Sequence, residues 1–267
     1  MPSFVLTEAE GRPALVYVPR DYDPSIEYPL VVLLHGYGAG GGAENLYLGL
    51  SNQTTAEQFI LLVPNGTTDN VGSAFWNSDP IRSSEEVDDV AYLRRLIDEA
   101  KANFRVDPRR VYLFGHSNGG FMSYRMACDA SDVITAIASL NGMPPEDPSE
   151  CDPERPVSVL QIHGTLDDSV IYTGEATDDG SGYPSAPDAV ERFAEAAGCD
   201  IDASEVGDPL DLDEELAGNE TTVLEYEAGC RRGLRAALWT IEGGGHLPER
   251  SDSFTPSVLQ WLKRHAR

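Results

Sequence analysis

A pentapeptide near the middle of the chain has the spacing needed to hold a nucleophilic serine. The sequence GHSNG at 115–119 matches G-x-S-x-G, in which a serine sits on a sharp turn between a strand and a helix. Glycines two residues on either side of Ser117 remove Cβ atoms that would obstruct so tight a turn. The apolar run 111–114 predicts the preceding strand. The pattern therefore indicates a serine at the carboxyl edge of a sheet, and a glycine-rich turn without chemistry is the alternative.

A serine hydroxyl needs a base, and the order of residues along the chain restricts the choice among five histidines. After a strand–turn–helix serine, the carboxylate comes next and the histidine last. His35 and His116 precede or adjoin the serine, and His163 comes before any candidate acid on the loop that follows it. His265 falls on the terminal helix, where we expect it to be solvated. His246 remains as the predicted base, because three preceding glycines let its loop bring the imidazole to the serine; a simple turn histidine is the alternative.

The candidate acid lies in the sequence HGTLDD at 163–168, directly after an apolar run. Asp167 is the predicted partner of His246 and Asp168 is the reserve. The chosen carboxylate would accept a hydrogen bond from the ring of His246, which fixes the tautomer and stabilises the imidazolium. The unused aspartate would be an ordinary loop carboxylate.

Two backbone amides are candidates for stabilising an oxyanion. One belongs to Asn118, at the positive end of the helix that follows the serine. The other belongs to Tyr37, in the glycine-rich loop 36–42 that follows the sequence LVVLLH. No G-K-[ST] follows this loop, so a phosphate-binding role is not favoured.

Two further features have less specific patterns. Trp76 and His116 are candidate substrate contacts, although Trp76 is equally well explained as a core residue. The carboxylates within 208–215 could bind Ca²⁺, but their spacing matches no EF-hand, so a solvated acidic face is favoured.

Strand-like and helix-like segments alternate along the chain, which predicts a mostly parallel sheet with helices on both faces. The expected strands cover 14–18, 30–34, 59–63, 111–114, 134–140, 157–162 and 236–241. The expected helices cover 86–104, 121–128, 186–197 and 254–265. Ser83 or Ser84 is the expected N-cap of the first helix, and Asp107-Pro108 is an expected turn. We expect one α/β domain over 1–267, with surface insertions near 172–185 and 199–222.

The composition is that of an acidic globular protein. The 267 residues include 45 acidic and 19 basic side chains, giving a net charge of −26 and a pI near 4.3. This charge opposes binding to nucleic acid and to anionic membranes, and no apolar run approaches the ~20 residues of a membrane span. Only two basic residues are lysines, which suits a salty medium; a merely acidic protein is an equally good interpretation.

Cys128, Cys151, Cys199 and Cys230 form no C-x-x-C motif and allow three disulfide pairings. Disulfides would indicate an oxidising compartment. However, residues 1–13 show neither the basic nor the apolar region of a signal peptide. The residues alone leave the state of the thiols open.

These motifs together resemble those of one branch of the α/β-hydrolases. With LLHGYGAGG, GHSNGG, HGTLDDSV and GGGH, and most strongly over 87–128, the chain resembles poly(3-hydroxybutyrate) depolymerase-like and feruloyl esterase-like enzymes of the carbohydrate esterase family 1-like group. The similarity covers about 29–248. It implies a triad of Ser117, Asp167 and His246, oxyanion donors at Tyr37 and Asn118, and no cofactor or metal.

The resemblance also bears on the cysteines and on substrate choice. It implies disulfides that pair Cys128 with Cys151 and Cys199 with Cys230, in a secreted or periplasmic protein. The sequence departs from the group after His246, where Leu247-Pro248 replaces the usual Trp-Pro. Specificity for an aromatic acid or a polymer is therefore not carried over.

The expected function is hydrolysis of carboxylic esters through a covalent acyl-enzyme. Polyesters of the hydroxyalkanoate type and feruloyl or acetyl esters are the substrate classes considered, whether small or polymeric, and the oligomeric state is left open. A serine peptidase of the same fold is less favoured, because the chain has no propeller or large cap to select peptides. A catalytically silent acidic binding module is the alternative from another class.

Overall fold

The computed structural model describes residues 2–6, 12–78, 87–176, 182–231 and 233–267. Its strands are β1 (Ser3–Leu6), β2 (Ala14–Tyr17), β3 (Tyr28–Leu34), β4 (Ile60–Val63), β5 (Thr67–Thr68), β6 (Ala74–Phe75), β7 (Val106–His116), β8 (Ala136–Leu140), β9 (Ser158–Gly164), β10 (Glu175–Ala176), β11 (Gly182–Tyr183), β12 (Glu205–Val206), β13 (Thr221–Tyr226) and β14 (Ala236–Ile241). Its helices are α1 (Gly41–Leu48), α2 (Leu50–Glu57), α3 (Asp89–Asn103), α4 (Asn118–Asp129), α5 (Ala186–Ala197) and α6 (Phe254–Lys263).

One large sheet organises the described chain. Its strands lie in the order β1-β2-β4-β3-β7-β8-β9-β14-β13-β12. The central strands from β4 to β14 are parallel, and the strands outside them are antiparallel. This confirms the predicted mostly parallel α/β sheet. The carboxyl ends of β7, β9 and β14 consequently lie along the same edge, where open α/β sheets bind ligands.

The apolar run of β3 is buried on both faces, as expected for a central parallel strand. Leu30, Val32 and Leu34 pack into a core that includes α3, while Val31 and Leu33 pack into a second core with α6. Successive side chains point to opposite faces of a strand, so helices must cover both faces of the sheet.

Three sequence-based boundaries are wrong. Asp107-Pro108 lies inside β7 and forms no turn between elements; it falls where the pairing with β3 shifts register between Tyr28 and Leu30, an irregularity that tolerates proline. Helix α3 is capped by the Asp88 side chain, which accepts from the Ala91 amide, and Ser83 and Ser84 lie outside the described residues. The glycine-rich loop is shorter than predicted, because α1 begins at Gly41.

One expectation of solvent exposure holds only in part, and a second is wrong. Most of the segment 199–222 is exposed, including Asp208, Asp211, Glu214 and Glu215, but Leu212 and Asp213 are buried, because Leu212 joins the core around α6. Burial raises the pKa of the Asp213 carboxyl above its usual range. His265 is 2% exposed and packs against the ring of Trp261. The other predicted insertion, near 172–185, lies partly outside the described residues.

Disulfides join Cys128 to Cys151 and Cys199 to Cys230, the pairing that the resemblance implies. Cys128 lies in the last turn of α4, the helix that starts beside Ser117. In the described part of the chain, no helix is both long enough and apolar enough to cross a bilayer.

Candidate active site

Ser117 occupies a sharp turn between β7 and α4. Its backbone has φ 53° and ψ −121°, a left-handed region that side chains other than glycine rarely adopt. A Cβ atom on Gly119 would lie 2.1 Å from the Leu34 carbonyl oxygen, and one on Gly115 would lie 2.0 Å from that of Gly119. Gly119 is therefore required for the turn to pack against β3, and Gly115 is required for the first turn of α4 to pack against the end of β7. The strain holds the serine hydroxyl at the edge of the sheet.

The three predicted side chains converge at this edge. Ser117 Oγ lies 2.9 Å from Nε2 of His246, and Nδ1 of the same ring lies 2.9 and 2.8 Å from the two carboxylate oxygens of Asp167. The Asp167 side chain is fully buried, whereas the His246 side chain keeps 19% of its surface exposed. Substrate can therefore reach the serine and the imidazole while the carboxylate stays out of water. The reserve candidate, Asp168, is exposed and accepts from the Ser169 hydroxyl.

The environment of Asp167 keeps its carboxyl ionised. Burial alone would raise the pKa, but hydrogen bonds from His163, His246 and the Val170 amide outweigh it and hold the pKa well below its usual range. The amides of Ser169 and Val170 donate to Oδ1 at 2.8 and 2.9 Å. The loop after β9 thus binds the negative charge that orients the imidazole.

A buried chain of side chains behind Asp167 was not predicted from the sequence. The Tyr124 hydroxyl donates to Gln161, whose amide lies 3.0 Å from Nδ1 of His163. Nε2 of His163 is 2.8 Å from the Val170 carbonyl oxygen and 3.5 Å from Asp167. His163 therefore supports the loop that carries Asp167. The order of residues along the chain excluded His163 as the base, but it could not show this supporting role.

The loop that carries His246 is fixed through its own backbone. The His246 carbonyl oxygen accepts from Nε2 of His116 at 3.0 Å and from Nδ2 of Asn141 at 2.8 Å. The Asn141 side-chain oxygen accepts from the Gly164 amide at 3.0 Å, which joins this loop to the end of β9. His116 is 4% exposed, so its predicted role as a substrate contact is wrong: its ring faces the histidine loop.

The two predicted oxyanion donors lie on segments next to the serine. A Cβ atom on Gly36 would lie 3.5 Å from the Ser117 Cβ, so the loop that carries Tyr37 abuts the nucleophile. Among backbone acceptors of the described chain, none receives the amides of Tyr37 or Asn118. The Tyr37 hydroxyl donates to Asp69, and the Gly38 amide donates to Ala74, so the loop is held on both sides. Neither amide is therefore committed to a backbone acceptor among the described residues.

Trp76 is a core residue, so its predicted contact with substrate is wrong. It is 1% exposed, and its indole nitrogen donates to the His35 carbonyl oxygen at 3.1 Å. Its backbone amide donates to the Asn118 side chain at 2.6 Å. Trp76 therefore packs beneath the site, and its backbone helps to hold the start of α4.

The order of the strands in the sheet and the sharp turn at Ser117 define the fold of an α/β-hydrolase. The chain belongs to the esterase family whose model, described as "Putative esterase", matches residues 9–198. It is therefore a carboxylic ester hydrolase, which confirms the function class predicted from its motifs.

Individual relatives agree with the family assignment. The chain is 30% identical over 245 residues to "Putative esterase NocK" of Nocardia uniformis, covering 86% of this chain and 69% of that protein. It is 33% identical over 194 residues to feruloyl esterase B of Piromyces equi, covering 70% of this chain but only 33% of that protein. Among solved structures, acetyl xylan esterase from Aspergillus awamori superposes with a TM-score of 0.69 at 12% identity, over 99% of this chain and 100% of that one. The last comparison supports the fold alone.

Proposed function

We propose that this esterase acts through a covalent acyl-enzyme, with Ser117 as nucleophile, His246 as general base and acid, and Asp167 as the residue that orients the imidazole. The observation that carries this proposal is the continuous contact from Ser117 Oγ through the His246 ring to both oxygens of Asp167. This is the geometry that a serine needs to lose its proton as it attacks an acyl carbon.

The proposed reaction has two halves. Ser117 Oγ bonds to the acyl carbon while Nε2 of His246 takes the hydroxyl proton, and the amides of Tyr37 and Asn118 donate to the oxyanion. His246 then returns the proton to the leaving alcohol, and the acyl-enzyme remains. Water attacks this ester by the same route and releases the carboxylic acid and free Ser117. Each oxyanion donor typically contributes about 10²–10³ in turnover.

We infer that the substrates are acetyl or feruloyl esters, including those carried by polysaccharides. Feruloyl esterase B of Piromyces equi supports the feruloyl class, and a bifunctional acetylxylan esterase/xylanase of Neocallimastix patriciarum, 23% identical over 256 residues, supports the acetyl class. The surroundings of the site are compatible with a bulky alcohol, because Leu247 beside His246 and Leu166 beside Asp167 are both well exposed. Tyr37 adds an exposed aromatic ring on the oxyanion loop.

We also propose that the protein works outside the reducing cytosol. Its four cysteines are all paired in two disulfides, and such bonds persist mainly in oxidising environments. Preparing the protein with and without reductant tests whether the fold depends on these disulfides, which is the premise of this proposal. The oxidised form should be the more stable one, and equal stability of the two forms would contradict it.

A substrate panel tests the proposed function. The panel contains p-nitrophenyl acetate, methyl ferulate, acetylated xylan, a hydroxyalkanoate polyester and a peptide p-nitroanilide. We expect turnover of the acetyl and feruloyl esters and none of the peptide. Failure to hydrolyse any ester, or faster cleavage of the anilide, would contradict the proposal, whereas turnover of the polyester alone would overturn the substrate class. The variant Ser149→Ala, at an exposed position distant in sequence from the triad, is the matched control and should retain full activity.

A further inference from the structure

A buried carboxylate lies behind the nucleophile, on helix α1. Glu44 is 4% exposed, and its Oε2 accepts from the Gly36 amide at 3.1 Å. Its other oxygen, Oε1, makes no hydrogen bond to any described residue and lies 3.5 Å from Nδ1 of His116. One carboxylate therefore contacts both the oxyanion loop and the histidine that precedes Ser117.

The contact between His116 and His246 determines which ring nitrogen of His116 faces Glu44. Nε2 of His116 must carry a hydrogen, because its partner is the carbonyl oxygen of His246. If the ring were neutral and Glu44 ionised, a lone pair on Nδ1 would face a buried, unpartnered carboxylate oxygen. That arrangement is costly at this degree of burial. A hydrogen placed on this side of either partner, or an amide in place of the carboxylate, would turn the contact into a hydrogen bond.

We propose that Glu44 and His116 are positioning residues that couple the oxyanion loop to the loop of His246, an inference that rests on the proposed function. Glu44 fixes the amide of Gly36, directly before Tyr37, and His116 fixes the carbonyl group of His246. A second contact from helix α1 reinforces this link. Three residues after Glu44, the Tyr47 hydroxyl donates to the carbonyl oxygen of Pro248, which follows His246 in the same loop, at 2.7 Å. The link sets the distance between the oxyanion donors and the general base.

Neither side chain contacts the substrate in the proposed mechanism, so their loss should change turnover and spare substrate binding. A displacement of about 1 Å in catalytic geometry costs about 10²-fold in rate. We therefore expect Glu44→Ala and His116→Ala each to lower kcat by about 10- to 100-fold, with KM changed by less than about threefold.

Glu44→Gln separates positioning from the need for a charge. The glutamine oxygen can accept from the Gly36 amide while its NH₂ group donates to Nδ1 of neutral His116. We expect this variant to keep kcat within about threefold of the wild type. Because the pair acts as one link, Glu44→Ala combined with His116→Ala should be no slower than the slower single variant by more than about twofold. Asp98→Asn, which alters a well-exposed carboxylate on α3, is the control and should have wild-type kinetics.

Four results would overturn the proposal: wild-type kcat in Glu44→Ala, no rescue in Glu44→Gln, multiplicative losses in the double variant, or a loss confined to KM. Should Glu44→Ala fail to fold, ¹⁵N-histidine NMR of the unaltered enzyme decides, because His116 Nε2 must be protonated; a deprotonated Nε2 refutes the link. Ser117→Ala, assayed alongside, separates failure of this inference from failure of the proposed function. If Ser117→Ala is inactive while Glu44→Ala is fully active, only this inference fails. If Ser117→Ala is active, the proposed function fails.

Discussion

Ser117 Oγ lies 2.9 Å from Nε2 of His246, although 129 positions separate the two residues in the chain. The parallel strands produce this contact, because β7, β9 and β14 all end at the same edge of the sheet. The serine turn follows β7, the aspartate loop follows β9 and the histidine loop follows β14. A fold with this strand order therefore brings together three short sequences that are far apart in the chain.

Replacing Asp167 tests the proposed orienting role. Asp167→Asn keeps the size of the side chain but removes the negative charge that fixes the imidazole tautomer and stabilises the imidazolium. We expect kcat on p-nitrophenyl acetate to fall by about 10⁴-fold, as it does when a buried triad aspartate is converted to asparagine. Asp168→Asn, at the exposed neighbour, should leave kcat unchanged, so equal effects of the two variants would argue against the assignment.

His265 should make the fold sensitive to acid. Burial, and then the nearby charges of Arg235 and Arg264, lower the pKa of His265 to about 4, although a hydrogen bond to the Leu262 carbonyl opposes the shift. The unfolded chain binds this proton with a pKa near 6.5, so the free energy of unfolding falls as the pH drops from about 6.5 to about 4. The full loss amounts to about 3 kcal/mol.

The variant His265→Phe should remove this dependence while keeping the contact with Trp261. Between about pH 7 and about pH 5, urea unfolding should show the wild type losing about 2 kcal/mol more free energy of unfolding than the variant. Other titrating groups contribute equally to both proteins and cancel in the difference. Parallel pH profiles for the two proteins would show that His265 does not titrate as proposed.

The disulfide of Cys128 and Cys151 should contribute to stability without affecting catalysis. The two cysteines are 23 positions apart, and closing a loop of that size contributes about 3 kcal/mol in the chain-entropy model. We expect Cys128→Ser combined with Cys151→Ser to lower the free energy of unfolding by that amount. Cys128 lies about 15 Å along α4 from its first residue, so kcat of the folded variant should stay within about twofold. A large loss of kcat at a temperature where the variant is folded would contradict this expectation.

The central strands and the three converging side chains could be predicted because their signals are local. The run at 30–34 is apolar throughout, and G-x-S-x-G between a strand and a helix specifies both a turn and a role for its serine. Chain order then selected His246 among five histidines. The start of β7 was missed because proline signals a turn unless the sheet contains an irregularity at that point.

The supporting residues could not be predicted because their roles arise from contacts between distant segments. Glu44 lies in a glycine-rich stretch without apolar periodicity. Its partner His116 lies 72 positions later in the chain (116 − 44). Asn141 and His163 likewise act through backbone groups of other loops. Burial of His265 depends on the packing of Trp261, which a helical pattern at the end of the chain does not reveal.

Turnover of p-nitrophenyl acetate by Ser117→Ala is the most direct test of the central claim that this hydroxyl forms the acyl-enzyme. With correct folding established by circular dichroism, and with Ser149→Ala as the matched serine control, kcat of Ser117→Ala should fall by at least about 10⁴-fold. Mass spectrometry of the quenched unaltered enzyme should place the acetyl group on the peptide containing Ser117. A variant that keeps turnover within about tenfold of the wild type, or an acetyl group attached elsewhere, would contradict the account.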